Sequence, residues 1–276
     1  MKKIIIILLA LAVISCAKTT EDLDLSYDIP VVSGFLSPDD TPSIQISQMV
    51  IFDNESEDSS DIISELDVFL INTGIKYQLS PDDSIAGLYN YTDSLFTIIE
   101  DNEYFLELTY KDALISSETK IPLKPVDFEM SDTIIELERI TEETTGGMGP
   151  GSDIEEIEIT WTTSDNNYYL VKFEYLEDEY DPVNETIEIE DPEEFASFTS
   201  PPLQDSLYTL RPMQFRYFGQ YNLILFKITD DYAAVYESIN QSSLDDLTEP
   251  VTNIENGRGI FTSFNSDTLQ FSVVVD

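Results

Sequence analysis

From Ile29 onward, apolar residues fall at every second position, in short runs cut by turn residues roughly every eight to twelve positions. Side chains of a strand alternate between two faces, so this period gives each run one buried and one wet face and excludes a helical domain. In "EYFLELTY" (103–110), Tyr104, Leu106, Leu108 and Tyr110 share one face while Glu103, Phe105, Glu107 and Thr109 share the other. The fold class expected is therefore mainly β.

Seven such runs come first: 29–37, 43–52, 66–71, 75–80, 87–92, 103–110 and 113–122. Turn chemistry separates them, as in "SPDDTP" (37–42), "NTG" (72–74), "SPDDS" (80–84) and "EDNE" (100–103). Seven short strands of this kind predict an immunoglobulin- or transthyretin-like β-sandwich over residues 28–122. "KIPLKP" (120–125), with two prolines, reads as a linker to a second β-rich domain, residues 123–276. Strands are expected there at 133–140, 154–162, 168–176, 210–218, 221–229, 259–264 and 268–275. One helix interrupts them at about 230–241, where Tyr232, Val235, Tyr236 and Ile239 form an i, i+3, i+4, i+7 stripe with Asp230 placed to cap it. This stripe reads as core packing first, as does Trp161, which shares a face with Ile157 and Ile159.

The start of the chain reads differently. Lys2 and Lys3 precede an apolar run, residues 4–14, that is too short for the roughly 20 residues a bilayer core needs. With small Ser15 at its exit it has the layout of an export signal, residues 1–15. Val13-Ile14-Ser15-Cys16 resembles the lipobox of bacterial lipoproteins, which implies cleavage before Cys16 and a diacylglycerol thioether on its sulfur. Residues 16–27 then serve as a tether. A catalytic role for this cysteine is disfavoured, because a thiol nucleophile is normally activated by a neighbouring base or cation and the chain has no histidine. As the only cysteine it has no disulfide partner within the chain.

The chain carries 55 acidic and 13 basic residues, a net charge of −42, and removal of residues 1–15 takes away two lysines and no acid. Such a surface repels nucleic acid and anionic headgroups, so membrane attachment must come from the lipid. Disorder is not implied, because 42% of residues are apolar and there are 15 Tyr and 15 Phe. Without histidine there is no Ser-His-Asp set and no histidine metal ligand, and no G-x-S-x-G or H-E-x-x-H sequence occurs. Paired carboxylates carry no signal here, since any fold of so acidic a chain brings some together.

The densest acidic stretch, 177–194, has ten Asp or Glu and no base. Its spacing does not match an EF-hand loop, and Thr186, Glu188 and Glu190 against Ile187 and Ile189 read as an exposed, charged strand, with Ca²⁺ binding as the weaker alternative. "DNESEDSSD" (53–61) reads the same way, as a polar loop first. No metal site and no cofactor is expected. "TTGGMGPGS" (144–152) reads as a loop, since no Lys and Ser/Thr follow at P-loop spacing. In "FRYFGQY" (215–221), Gly219-Gln220 reads as a hairpin tip that exposes Arg216, Phe218 and Tyr221, a composition enriched in interfaces.

The order "IPVVSGFLS", "LDVFLINTGIKYQLS", "GLYNY", "EYFLELTYKDALISSETKIP" resembles the N-terminal sandwich of a Bacteroidota lipoprotein family, domain of unknown function 4249. The Tyr-bearing helix and "EPVTNIENGRGIFTSF" (249–264), with Asn253-Ile254, Gly257, Gly259 and Phe261, resemble its closing pattern. The resemblance implies an outer-membrane lipoprotein and a TonB-dependent receptor as partner, and it supplies no catalytic residue. In lipoproteins of the kind this chain resembles, acids soon after the anchor accompany export to the cell surface; Glu21, Asp22 and Asp24 fit that loosely, while Lys18-Thr19-Thr20 delays them, so the periplasmic leaflet stays open. The expected function is a non-enzymatic binding or accessory subunit for nutrient uptake. The alternatives are a structural subunit of an assembly, secretion or motility machine and, less favoured, a carboxylate-based glycan or peptide hydrolase.

Overall fold

The computed structural model describes residues 29–38, 40–49, 65–93, 96–143, 156–163, 167–239 and 251–276. Cys16 with the export-like segment and tether, the acidic run 53–61 and the glycine loop 144–152 lie outside the described residues. The protein is mainly β, as its alternation predicts, and the sheet does not close into a barrel.

Seven strands build the first half: β1 (Pro30–Leu36), β2 (Ser43–Gln48), β3 (Val68–Asn72), β4 (Ile75–Pro81), β5 (Leu88–Asn90), β6 (Glu103–Tyr110) and β7 (Ala113–Lys120). β1, β2 and β5 pair in that order, β4, β3, β6 and β7 pair in theirs, and β5 joins β4. The even positions of β6 point inward: Tyr104, Leu106 and Leu108 are buried against Val32, Leu36, Ile44 and Ile46 from the facing strands. Side chains buried this fully contribute roughly 1.5–3 kcal/mol each. The β3–β4 turn is made by Thr73 and Gly74, both at positive φ (49° and 79°), the two-residue geometry that matches strand twist. After β4, Asp82 Oδ1 accepts from the amides of Ser84 and Ile85 at 2.8 and 2.9 Å, and these bonds hold its carboxyl below the ordinary range.

The second half contains β8 (Val126–Met130), β9 (Ile134–Leu137), β10 (Ile157–Thr162), β11 (Tyr168–Tyr175), β12 (Asp181–Pro182), α1 (Pro192–Ala196), β13 (Phe198–Thr199) and β14 (Leu207–Leu210). A 3₁₀ turn at Pro212–Gln214, then β15 (Tyr217–Ile228), α2 (Asp230–Ile239) and β16 (Arg258–Val275) complete it. The sheet β14-β10-β8 stands apart from the large sheet in its pairing. Its inward residues Ile157, Ile159 and Trp161 share a core with Val171, Phe173, Leu223, Leu225 and Phe271 of the large sheet. Trp161 is thus the core residue its spacing predicts.

β16 is shared by both halves. Its first six residues run parallel to β1, Arg258 to Ser263 against Val31 to Leu36, and from Phe264 onward it pairs antiparallel with β15. The first core accordingly includes Ile254 and Phe261 from the far end of the chain. β7 meets this end of the chain through a backbone bridge between Ser116 and Glu255 and through side chains: Ser117 Oγ donates to Asn253 O at 2.8 Å and Ser263 Oγ to Lys120 O at 2.8 Å. The segment read as a linker is tied down too, with Ile121 buried in the first core and bonded to Asn102 O.

Several sequence expectations are corrected. The two strands expected at 259–264 and 268–275 are one strand, because Asn265, Ser266 and Asp267 stay in the ladder opposite Lys227, Phe226 and Leu225. The strand expected at 210–218 is broken by Pro212, which starts the 3₁₀ turn, and its end joins the run 221–229 as β15. Residues 186–190 are irregular, with a turn at Thr186 and bends at Ile187 and Glu190, instead of an exposed strand. α2 stands where the helix was expected, but Thr229 caps it: Tyr232 N donates to Thr229 Oγ1 at 3.3 Å, while Asp230 and Asp231 occupy the first turn. Of its inward face Ala233 is fully buried and Tyr232 packs edge-on against Phe35.

Candidate functional site

Downstream of β9 the chain builds one wall of an open groove of about 730 Å³. Arg139 fastens it. Its guanidinium grips the Asp181 carboxylate through both terminal nitrogens at 2.5 and 2.8 Å, reaches Glu185 Oε1 at 3.2 Å, and lies 4.7 Å over the Phe218 ring. Bidentate, charge-assisted bonds of this kind fix orientation as well as proximity. Arg139 holds the Asp181 carboxyl below its ordinary value, so the brace is intact at neutral pH and weakens only as pH falls through that depressed value.

Backbone bonds complete the wall. Ile140 N donates to Val183 O, Glu185 N to Ile140 O, and Val183 N to Arg216 O, all at 2.9 Å. Asn184 Oδ1 then accepts from Thr186 N at 3.0 Å, turning the chain so that Ile187 faces outward. α1 follows, with Asp191 before a Pro at its first position and Glu193 and Glu194 in its first turn, where acids complement the helix dipole. It buries Ala196 and leaves Phe195 out. On the opposite side the 3₁₀ turn buries Pro212 and raises Met213.

Ile187, Phe195 and Met213 line the groove while remaining 55, 51 and 61% exposed, and Ile140, Val183 and Phe215 lie beneath them. Glu138, Glu188, Glu190, Asp191 and Glu194 also line it. Arg216 is the only cation among the described residues that line it. A second hollow of about 260 Å³ shares Glu194, Phe195, Phe215 and Arg216 with the first, so the groove continues past Phe195 toward Phe198. Most other described bases are paired, as in Lys76–Glu107, Lys120–Asp101, Lys124–Asp267, Lys172–Glu174 and Arg211–Glu156. Arg216 makes no ion pair among the described residues.

The three residues expected on an exposed tip separate. Arg216 is exposed and lines the groove, but Phe218 and Tyr221 are only 5 and 2% exposed. The tip itself does not exist. Gly219 and Gln220 sit in mid-strand opposite Val273 and Ser272, and Gly219, at φ +146°, is required because a Cβ there would lie 2.8 Å from both the Tyr175 ring and Glu177 Cγ. Glycine in a strand marks such close approaches as readily as it marks turns. Phe218 packs under Arg139, and Tyr221 stacks on Phe271 at 5.3 Å with its hydroxyl donating to Tyr217 O. Burial pushes the Tyr221 phenol well above its ordinary value.

Sequence periodicity places Ile187 on an exposed strand and gives no signal for Phe195 or Met213, so it does not bring the three together. The start signal of α1, an acid, then proline, then two glutamates in "DPEEFA", was available to place Phe195 on a short surface helix. Among the described residues no three His, Cys, Asp or Glu side chains converge to hold a metal ion, and no helix is long and apolar enough to cross a membrane.

No protein-family profile matches the chain, and no curated protein matches it. Two solved structures, both described as a cytokine receptor complex, align over 87 and 71% of this chain and 95 and 89% of theirs, at 8 and 11% identity. Their TM-scores are 0.29 and 0.27, and a likeness at that level carries no argument for fold or function.

Proposed function

We propose that the protein is a lipid-anchored outer-membrane protein that binds a partner and performs no chemistry of its own, serving as an accessory subunit to an uptake receptor of the TonB-dependent kind. The observation that carries the binding half is the groove: half-exposed Ile187, Phe195 and Met213 in a rim of carboxylates. Exposed apolar side chains gathered in one place, with Met and aromatics prominent, mark association sites. The lack of histidine in the sequence supports binding over turnover. The lipobox-like Val13-Ile14-Ser15-Cys16 supports the anchor, and the resemblance to the Bacteroidota lipoprotein family supports the setting.

Anchoring is tested by growing cells with an alkyne-bearing fatty acid. The wild-type chain is expected to label and to run at the cleaved size, whereas Cys16→Ser should take no label and accumulate as precursor. Membrane association of Cys16→Ser equal to wild type would refute the anchor.

A further inference from the structure

The groove also specifies the chemistry of what it holds. Its apolar side chains stand half out of the surface, so an occupant must bring apolar groups to cover them, at roughly 25 cal/mol per Å² of area removed from water. Around them, among the described residues, the charges are one-sided: five carboxylates, Glu138, Glu188, Glu190, Asp191 and Glu194, against the single guanidinium of Arg216. The net charge of −42 extends the same field over the whole molecule. Complementary charge steers encounter and rejects like-charged partners. An acidic segment is repelled here, and a neutral one gains nothing from the rim. The groove is also elongated, because the hollow beyond Phe195 and Arg216 continues it. That shape suits an extended occupant better than a compact small molecule.

We propose that the groove between α1, the 3₁₀ turn and the residues following β9 binds a polypeptide segment of a partner protein whose apolar side chains alternate with Lys or Arg. Apolar residues of that segment cover Ile187, Phe195 and Met213, and its basic residues meet Glu188, Glu190 and Glu194 at the rim. This rests on the partner-binding reading above but not on the lipid anchor. Failure of one leaves the other standing: Cys16→Ser reports only attachment, and groove variants report only binding.

The test uses the full-length protein in detergent and fluorescence anisotropy of two labelled peptides, one of leucine and lysine, the other identical but with glutamate for every lysine. All samples share the same detergent, so partitioning of peptide into micelles is common to them. Wild type is expected to bind the leucine–lysine peptide and to discriminate against the glutamate peptide. Phe195→Ala combined with Met213→Ala leaves every charge in place and touches only half-exposed side chains, so the fold survives, with an unchanged circular dichroism spectrum and urea midpoint. It should weaken binding at least about tenfold. Glu188→Gln with Glu190→Gln should weaken it too and flatten its salt dependence. Equal binding by wild type and the double alanine variant would overturn the proposal, because the peptide would then be held by surface charge at large. Preference for the glutamate peptide, abolished by Arg216→Gln, would also overturn it and make Arg216 the anchor for an acidic partner.

Discussion

Gly259→Ala is expected to destabilise the first half of the protein by more than about 4 kcal/mol, an effect in the exceptional range for a single substitution. Gly259 sits in β16 directly opposite Val32 of β1, at φ +97°. A Cβ there would lie 2.0 Å from Val32 O and within 3.0 Å of Val32 C and N, so the obstruction is backbone and has no rotamer to escape through. Strain at positive φ adds about 1–3 kcal/mol. Together these are a large share of the roughly 5–15 kcal/mol by which a domain is stable. Hydrogen exchange should show protection lost at Val32 and Ile46 first, because they lie in the core that this pairing closes, while Leu223 and Leu225 of β15 keep theirs within the second core. A wild-type urea midpoint for Gly259→Ala would mean that the β1–β16 pairing does not hold the halves together.

The second large effect is at Asn253, whose side chain imitates a strand. Over its first six residues β16 pairs with β1 on one side and, among the described residues, with no strand on the other. There the Asn253 amide pairs with the Phe261 backbone, Nδ2 donating to its carbonyl at 2.8 Å and Oδ1 accepting from its N–H at 3.0 Å. Nδ2 also donates to Asp231 Oδ2 at 2.9 Å, tying in the start of α2. Asn253→Ala leaves both Phe261 backbone groups without partners beside the first core and should cost about 2–4 kcal/mol. Asn253→Asp should cost at least as much at neutral pH, since a carboxylate cannot donate and would face both the Phe261 carbonyl and Asp231. Protonation restores one donor, so the deficit of Asn253→Asp relative to wild type should shrink as pH falls, whereas that of Asn253→Ala should not. Urea titrations of the three proteins at neutral and acidic pH distinguish the two patterns.

Both sites explain what the sequence made visible and what it did not. Asn253, Gly257, Gly259 and Phe261 stood out as a short pattern, and their spacing is that of a loop whose Asn returns to bond the strand eight residues on. The strands of the first half were legible because each has one dry face. β6 falls at 103–110 because Tyr104, Leu106 and Leu108 reach the core while Phe105 and Glu107 face the other way. The long strands were not legible, because polar residues inside them mimic turns. Asn265 is polar because it is buried between the halves, where its Nδ2 serves Glu100 and the Pro122 carbonyl at 3.1 and 3.0 Å. Gly219 is glycine because Tyr175 packs over it. These are long-range reasons, and local periodicity does not contain them. The groove was hidden for the same cause. Ile187, Phe195 and Met213 come from three separate segments, and the Arg139–Asp181 brace in the groove's wall joins residues 42 apart in the chain.

The central claim, a lipid-anchored protein that binds a partner through an apolar, acid-rimmed groove, is tested most directly in cells. A tagged full-length chain is cross-linked on living cells, extracted gently and purified, beside its Phe195→Ala/Met213→Ala variant. The expected result is a receptor-type outer-membrane protein enriched with the wild type and lost from the variant, with both chains equally acylated. Recovery of the wild-type chain alone, or the same partner in equal amount with the variant, would contradict it.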